Sequence, residues 1–194
     1  MRILLFMVAA FVTPQMASAA GITIEAIGTP DPYIVQLFPQ NTLSARIWYR
    51  GEFPITGAEF RLAGIPGGWV VGATANPAAN IVIGSPVDGV GVNIAFPTCN
   101  DQSGGGPLDH IAVWLFDIVI FATTDEIEVQ IYADARNPPF NPDYNCSLVA
   151  RCGDDAFALE CVGTFGLCIN SGSGCGTSVS VKHSAWSGIK SLYR

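Results

Sequence analysis

Ser44-Ala45-Arg46-Ile47-Trp48-Tyr49-Arg50 sends Ala45, Ile47 and Tyr49 to one side of an extended chain and Arg46, Trp48 and Arg50 to the other. Period-two alternation of this kind predicts a half-buried strand. Gly57 to Leu62 repeats it, with Ala58, Phe60 and Leu62 facing away from Gly57, Glu59 and Arg61. Glu126 to Tyr132 sets Ile127, Val129 and Ile131 against Glu128, Gln130 and Tyr132. Val90 to Phe96 places Val90, Val92, Ile94 and Phe96 inward and leaves only Gly91, Asn93 and Ala95 outside. Ile111 to Phe121 is apolar on both faces apart from Asp117, which predicts a central strand with Asp117 at a bulge or an edge.

Working outward, Gly21 to Ile27, Ile34 to Phe38, Trp69 to Thr74 and Ile81 to Ile83 are shorter strand candidates. The punctuation between them is turn chemistry: Gly64-Ile65-Pro66-Gly67-Gly68, Asn76-Pro77, Ser85-Pro86, Asp88-Gly89 and Ser103-Gly104-Gly105-Gly106-Pro107. Eight or nine strands at this spacing predict an all-β, antiparallel β-sandwich of the immunoglobulin-like or jelly-roll kind, with little room for helix. After Asp134 the run Asn137-Pro138-Pro139-Phe140-Asn141-Pro142 opens a loop-rich flank, about 134–176, holding five of the six cysteines. It is expected to be the irregular flank of a single domain over 20–183. In the tail, 184–194, Trp186, Ile189, Lys190 and Tyr193 share one helical face, a segment too short to hold a helix alone and expected to be read by a sorting or attachment partner.

The opening residues read as a signal peptide over 1–19. Arg2 supplies the charge, Ile3 to Val12 the apolar core, Pro14 the break and Ala17-Ser18-Ala19 the cleavage site. Ten apolar residues fall short of the roughly 20 that a bilayer crossing needs. The mature chain is therefore expected to be secreted, extracellular or on the cell surface, with no membrane span after cleavage. Losing Arg2 leaves 8 basic against 16 acidic residues, a net charge near −8. Nucleic acid and anionic membranes are poor partners for such a surface.

Cys99, Cys146, Cys152, Cys161, Cys168 and Cys175 permit fifteen pairings. An oxidising compartment and the lack of C-x-x-C pairs favour disulfides over zinc. Loop closure is easiest between Cys168 and Cys175, then between Cys152 and Cys161, which leaves Cys99 for Cys146.

Catalytic machinery is not apparent. Only His110 and His183 could serve as histidine bases, there is no G-x-S-x-G elbow, and Asp154 and Asp155 are adjacent on the chain and point apart. The chain is read as no enzyme, and no cofactor is expected. Calcium is the one ion weighed, because Asn100, Asp101, Asp109, Asp143, Asp154 and Asp155 are loop oxygens, although no EF-hand spacing is present. Asn145-Cys146-Ser147 has the form of a glycosylation sequon. Trp48 and Tyr132 are the aromatic candidates for a ligand platform, against the expectation that a neighbouring arginine lies over the Trp48 indole. Trp69 and Trp114 sit in apolar text and are expected in the core.

Thr56 to Leu62, Gly64-Ile65-Pro66-Gly67-Gly68-Trp69, Asn76-Pro77, Val92 to Cys99, Cys146 to Cys152 and the closing Trp186 to Arg194 together resemble uncharacterised secreted bacterial proteins. In that group a cohesin-like or carbohydrate-binding-module-like β-sandwich precedes a cysteine-containing flank. Cys168 and Cys175 are additions to that pattern, and no dockerin-type calcium repeat accompanies it. With the strand pattern and the cysteines, the expectation is a non-enzymatic extracellular structural or protein-interaction module. The alternative is carbohydrate binding on an exposed aromatic platform, so the expected partner is an extracellular protein or a polysaccharide.

Overall fold

The alternation at 44–50 becomes strand β3 (Thr42–Gly51), in which Ala45, Ile47 and Tyr49 are fully buried while Arg46, Trp48 and Arg50 stay partly exposed. The computed structural model describes residues 20–100, 111–126, 128–152 and 158–171. Among them there are thirteen strands and no helix. The leader, the tail with Trp186, Ile189, Lys190 and Tyr193, Cys175, and both histidines lie outside the described residues.

One sheet runs β12 (Gly163–Phe165), β1 (Gly21–Ala26), β3, β8 (Ile111–Phe121), β5 (Val70–Ala75). The other runs β11 (Ala158–Cys161), β10 (Leu148–Arg151), β4 (Ile55–Ala63), β9 (Val129–Asp134), β13 (Leu167–Ile169), β2 (Ile34–Val35). Strand β7 (Gly91–Asn100) also pairs with β4, and β6 (Ile81–Ser85) pairs with β7. The inward faces meet in one apolar cluster, with Ile22, Ile24, Ile47, Ile118 and Ile120 of the first sheet packed in the same core as Phe60, Ile94, Ile131 and Leu167 of the second. Each such side chain, removed wholly from water, contributes about 1.5–3 kcal/mol. The rings of Phe60 and Phe116 meet edge to face across the layers at 6.1 Å. The all-β sandwich is as the sequence predicts.

Several details differ. The cysteine flank is not irregular: β10 and β11 extend the second sheet beside β4, β12 pairs parallel with β1, and β13 joins β9 to β2. Two of the pairings, β1 with β12 and β2 with β13, are parallel in an otherwise antiparallel sandwich. Val90 is 41% exposed rather than inward, because the Asp88 carboxylate accepts the amides of Val90 and Gly91 and keeps Val90 in the turn before the strand. Strand β9 begins at Val129 and not at Glu126, since Glu128 takes a left-handed φ of 56° that interrupts extended pairing. Ile34 to Phe38 pairs as a strand only over Ile34–Val35; beyond it the Asn170 side-chain amide receives the Leu37 amide and donates to the Leu37 carbonyl, both at 2.8 Å, in place of a neighbouring strand.

Asp117 is at neither a bulge nor an edge. It sits opposite Arg46 in the β3–β8 ladder, and the two form a bidentate pair at 2.6 and 3.0 Å. The bulge lies two residues earlier: Trp48 faces Trp114 and Ile47 faces Phe116, so Leu115 is an extra residue, and it is fully buried. That offset turns Trp114 to the outer face beside Trp48, which corrects the expected core position. Trp69 is buried as expected, its indole N–H donating to Thr124 Oγ1 at 3.1 Å.

The bridges are Cys99–Cys152 and Cys146–Cys161, not Cys99–Cys146 and Cys152–Cys161. Loop length misleads here because the β10–β11 hairpin pairs Leu148 with Cys161 and Arg151 with Ala158. Cys152 and Cys161 therefore sit at opposite ends of the hairpin, whereas Cys146 lies just before the Leu148–Cys161 pair. At the other end, Ile55 of β4 faces both Asn100 of β7 and Arg151 of β10, and this brings Cys99 to Cys152. Cys168 is also disulfide-bonded; the expected Cys168–Cys175 bridge falls partly outside the described residues.

Candidate functional site

Two outer faces carry the side chains that could meet a partner. On the first sheet, Thr23, Trp48 and Trp114 lie in one cross-strand row. The guanidiniums of Arg46 and Arg50, two residues either side of Trp48 and on its face of the strand, stand 5.5 and 5.4 Å from the Trp48 ring centroid, and Arg46 is 4.4 Å from that of Trp114. A carboxylate closes each end, Asp117 on Arg46 and Glu25 on Arg50, the latter at 2.6 and 2.8 Å. The result is a ladder in which two cations flank the partly exposed indole that the sequence offers as a platform. Tyr132 belongs to β9 of the other sheet, opposite Ala63, so the two candidate aromatics are not brought together.

Glu25 also accepts hydrogen bonds from Tyr33 Oη at 3.0 Å and Thr23 Oγ1 at 3.1 Å. Burial alone would raise its pKa, but the Arg50 hydrogen bonds and charge, with the two hydroxyls, outweigh burial and hold it below the ordinary value. Burial and then the Glu25 charge push the Tyr33 phenol up to about 12. A carboxylate depressed by folding adds stability above its unfolded value, near 4.5, and that stability is lost as pH falls through the folded value. Glu25→Gln is therefore expected to lower the melting temperature at neutral pH, with the gap to wild type narrowing below about pH 4. Melting curves between pH 3 and pH 7 check this; a gap that does not change with pH would remove Glu25 from the acid response.

On the second sheet, the register aligns Ala95, Gly57, Ala150 and Leu159 across four strands, and beside them Asn93, Glu59, Leu148 and Cys161. Gly57, Ala95 and Ala150 have almost no side chain, so the first row is the bed of a groove of about 610 Å³. A Cβ on Gly57 would come 2.6 Å from the Ile94 carbonyl oxygen, which is why glycine stands at that point. Leu159, 39% exposed, forms one wall. Phe140, 53% exposed, forms another on the loop after β9, beneath the Arg136 guanidinium at 4.2 Å. The Cys99 end is shut by the bridge to Cys152.

Glu59, expected on an open face, is buried to 5% exposure because that loop folds over it. Its Oε1 accepts the Phe140 amide at 3.1 Å and its Oε2 the Asn93 side-chain amide at 3.3 Å. Among the described residues no cation pairs with it. Sequence reasoning missed this groove. The visible signal was Glu59 and Asn93 in otherwise apolar strands, but the register that unites them with Ala150 and Leu159 is long-range. Of the calcium candidates, Asn100 ends β7 and Asp143 lies in the 137–145 loop, while Asp101, Asp109, Asp154 and Asp155 are outside the described residues. No group of three or more His, Cys, Asp or Glu is placed to hold a metal among the described residues.

The fold is similar to a cohesin module of a family 33 glycoside hydrolase from Clostridium perfringens, with TM-score 0.44 and 14% identity over 79% of this chain and 98% of that one. It is also similar to a chain of the CaDoc0917–CaCohA2 complex, with TM-score 0.40 and 11% identity over 72% and 92% of the two chains. No family model and no curated protein matches the sequence.

Proposed function

We propose that the chain is a non-enzymatic extracellular module that binds another protein in the groove between Phe140 and Leu159. The observation that carries this reading is the four-strand row of Ala95, Gly57, Ala150 and Leu159, a trough with rigid backbone on its floor and apolar side chains on its rim. A protein segment can seat apolar side chains there. The overall charge of −7 favours a basic partner. Two disulfides within the described residues fit an oxidising, extracellular setting. Among the described residues the groove lining contains one carboxylate and no histidine, a composition suited to binding.

Replacing Leu159 with a photo-crosslinking residue should give a discrete adduct in the native extracellular fraction. The same probe at Val119, exposed on the other sheet, should give none. Ala150→Trp, which fills the trough, should suppress the Leu159 adduct. Equal labelling from both probes, or an adduct indifferent to the filled trough, would place the partner elsewhere.

A further inference from the structure

Between Arg61 and Asp101 the chain carries a single charged residue, Asp88, although it has 25 in all. That one carboxylate is turned into its own loop, where it accepts the amides of Gly91 at 2.8 Å, Val90 at 2.9 Å and Ser85 at 3.3 Å. The stretch builds β5 and β6, the terminal strands of the two sheets. Within the described residues β5 pairs only with β8 and β6 only with β7. Asn76–Asn80 joins them on one side of the sandwich, with Asn76 donating its amide to Leu115 of β8 and Asn80 to Ala95 of β7. Both sheets are therefore open at the same side.

The apolar side chains of that side are not withdrawn. Ile81, Val82 and Ile83 are 49%, 43% and 51% exposed, and Val70 is 60% exposed. Edge strands normally carry a lysine, an inward charge or a proline that discourages pairing. Strand β6 has none within Ile81–Ser85; Gly84, at a φ of 85°, confines the extended edge to Ile81–Ile83, and Pro77 and Pro86 stand outside it.

We infer that β6 is a self-association edge, on which a second copy of this chain lays its own β6 antiparallel, continuing the second sheet across a two-fold axis. Charge decides for a second copy over an unlike partner. Two chains of net charge −7 repel wherever acidic surfaces face each other, and β6, with no charge within Ile81–Ser85, is an edge along which they can meet without doing so. An oppositely charged partner would gain nothing there. A strand facing itself is also self-complementary, as a two-fold interface requires, with Ile81, Val82 and Ile83 set against the same residues.

Sedimentation velocity of the full chain over a range of concentrations tests this. A reversible monomer–dimer equilibrium is expected, strengthened by added salt as the repulsion between acidic copies is screened. Val82→Lys with Ile83→Lys should raise the dimer dissociation constant by about tenfold or more, with an unchanged circular dichroism spectrum. Val119→Lys, on the outer face of the other sheet, should leave it as in wild type. Where the double variant does not fold, hydrogen exchange on the wild-type chain decides: β6 amides should gain protection as concentration rises. A monomer at every concentration, a dimer untouched by the β6 lysines, or β6 amides whose exchange ignores concentration would overturn the inference.

Discussion

Removing one bridge, by Cys99→Ala with Cys152→Ala, is expected to cost about 4 kcal/mol of stability, because the pair closes a loop with sequence separation 53. The shorter Cys146–Cys161 closure, separation 15, should cost about 3 kcal/mol. Denaturant unfolding of the two double variants measures both. The order is informative: the longer loop fastens β7 to the end of β10, and so fixes the groove as well as the fold. Loss of Cys99–Cys152 should therefore also abolish the Leu159 adduct, whereas a variant that kept stability and adduct alike would show the bridge to be incidental.

Trp48→Ala is expected to destabilise the chain by about 2 kcal/mol, since it removes a partly buried indole together with its contacts to two guanidiniums. It should leave groove binding and any polysaccharide binding as in wild type. Arg46 and Arg50 occupy the approach to the ring along the strand, and they are themselves held by Asp117 and Glu25. Partly solvated ion pairs of that kind contribute up to about 1 kcal/mol each, so the ladder works by mutual support more than by any single pair. Glycan binding lost in Trp48→Ala, with stability intact, would restore the indole as a ligand platform.

What could be read from the sequence follows from the range of the forces involved. Alternation is local, and it locates β3, β4 and β7 with their buried faces because Ile47, Phe60 and Ile94 each repeat a period-two pattern over several residues, whereas β8 shows only as a long apolar run. Trp114 reads as core because it sits in text that is apolar on both faces; its outer position is set by one extra residue, Leu115, a bulge that leaves no mark in composition. Glu59 reads as an outer-face residue of its strand, and the loop that buries it arrives some eighty residues later, at Phe140. The flank hid its strands for the same reason. Leu148–Arg151 and Leu167–Ile169 are too short to show a period, and they are strands because β4 and β9 offer them partners. Cysteine pairing obeyed the hairpin register rather than loop entropy.

The cysteine flank, on this account, is woven into the sandwich and builds the groove wall, with β10 seated on β4 and Cys99 tied to Cys152. A peptide map of the unreduced protein tests that directly. It should recover the peptide holding Cys99 joined to the one holding Cys152, and Cys146 joined to Cys161. Recovery of Cys99 joined to Cys146 would contradict the register of β4 and β10, and with it the groove.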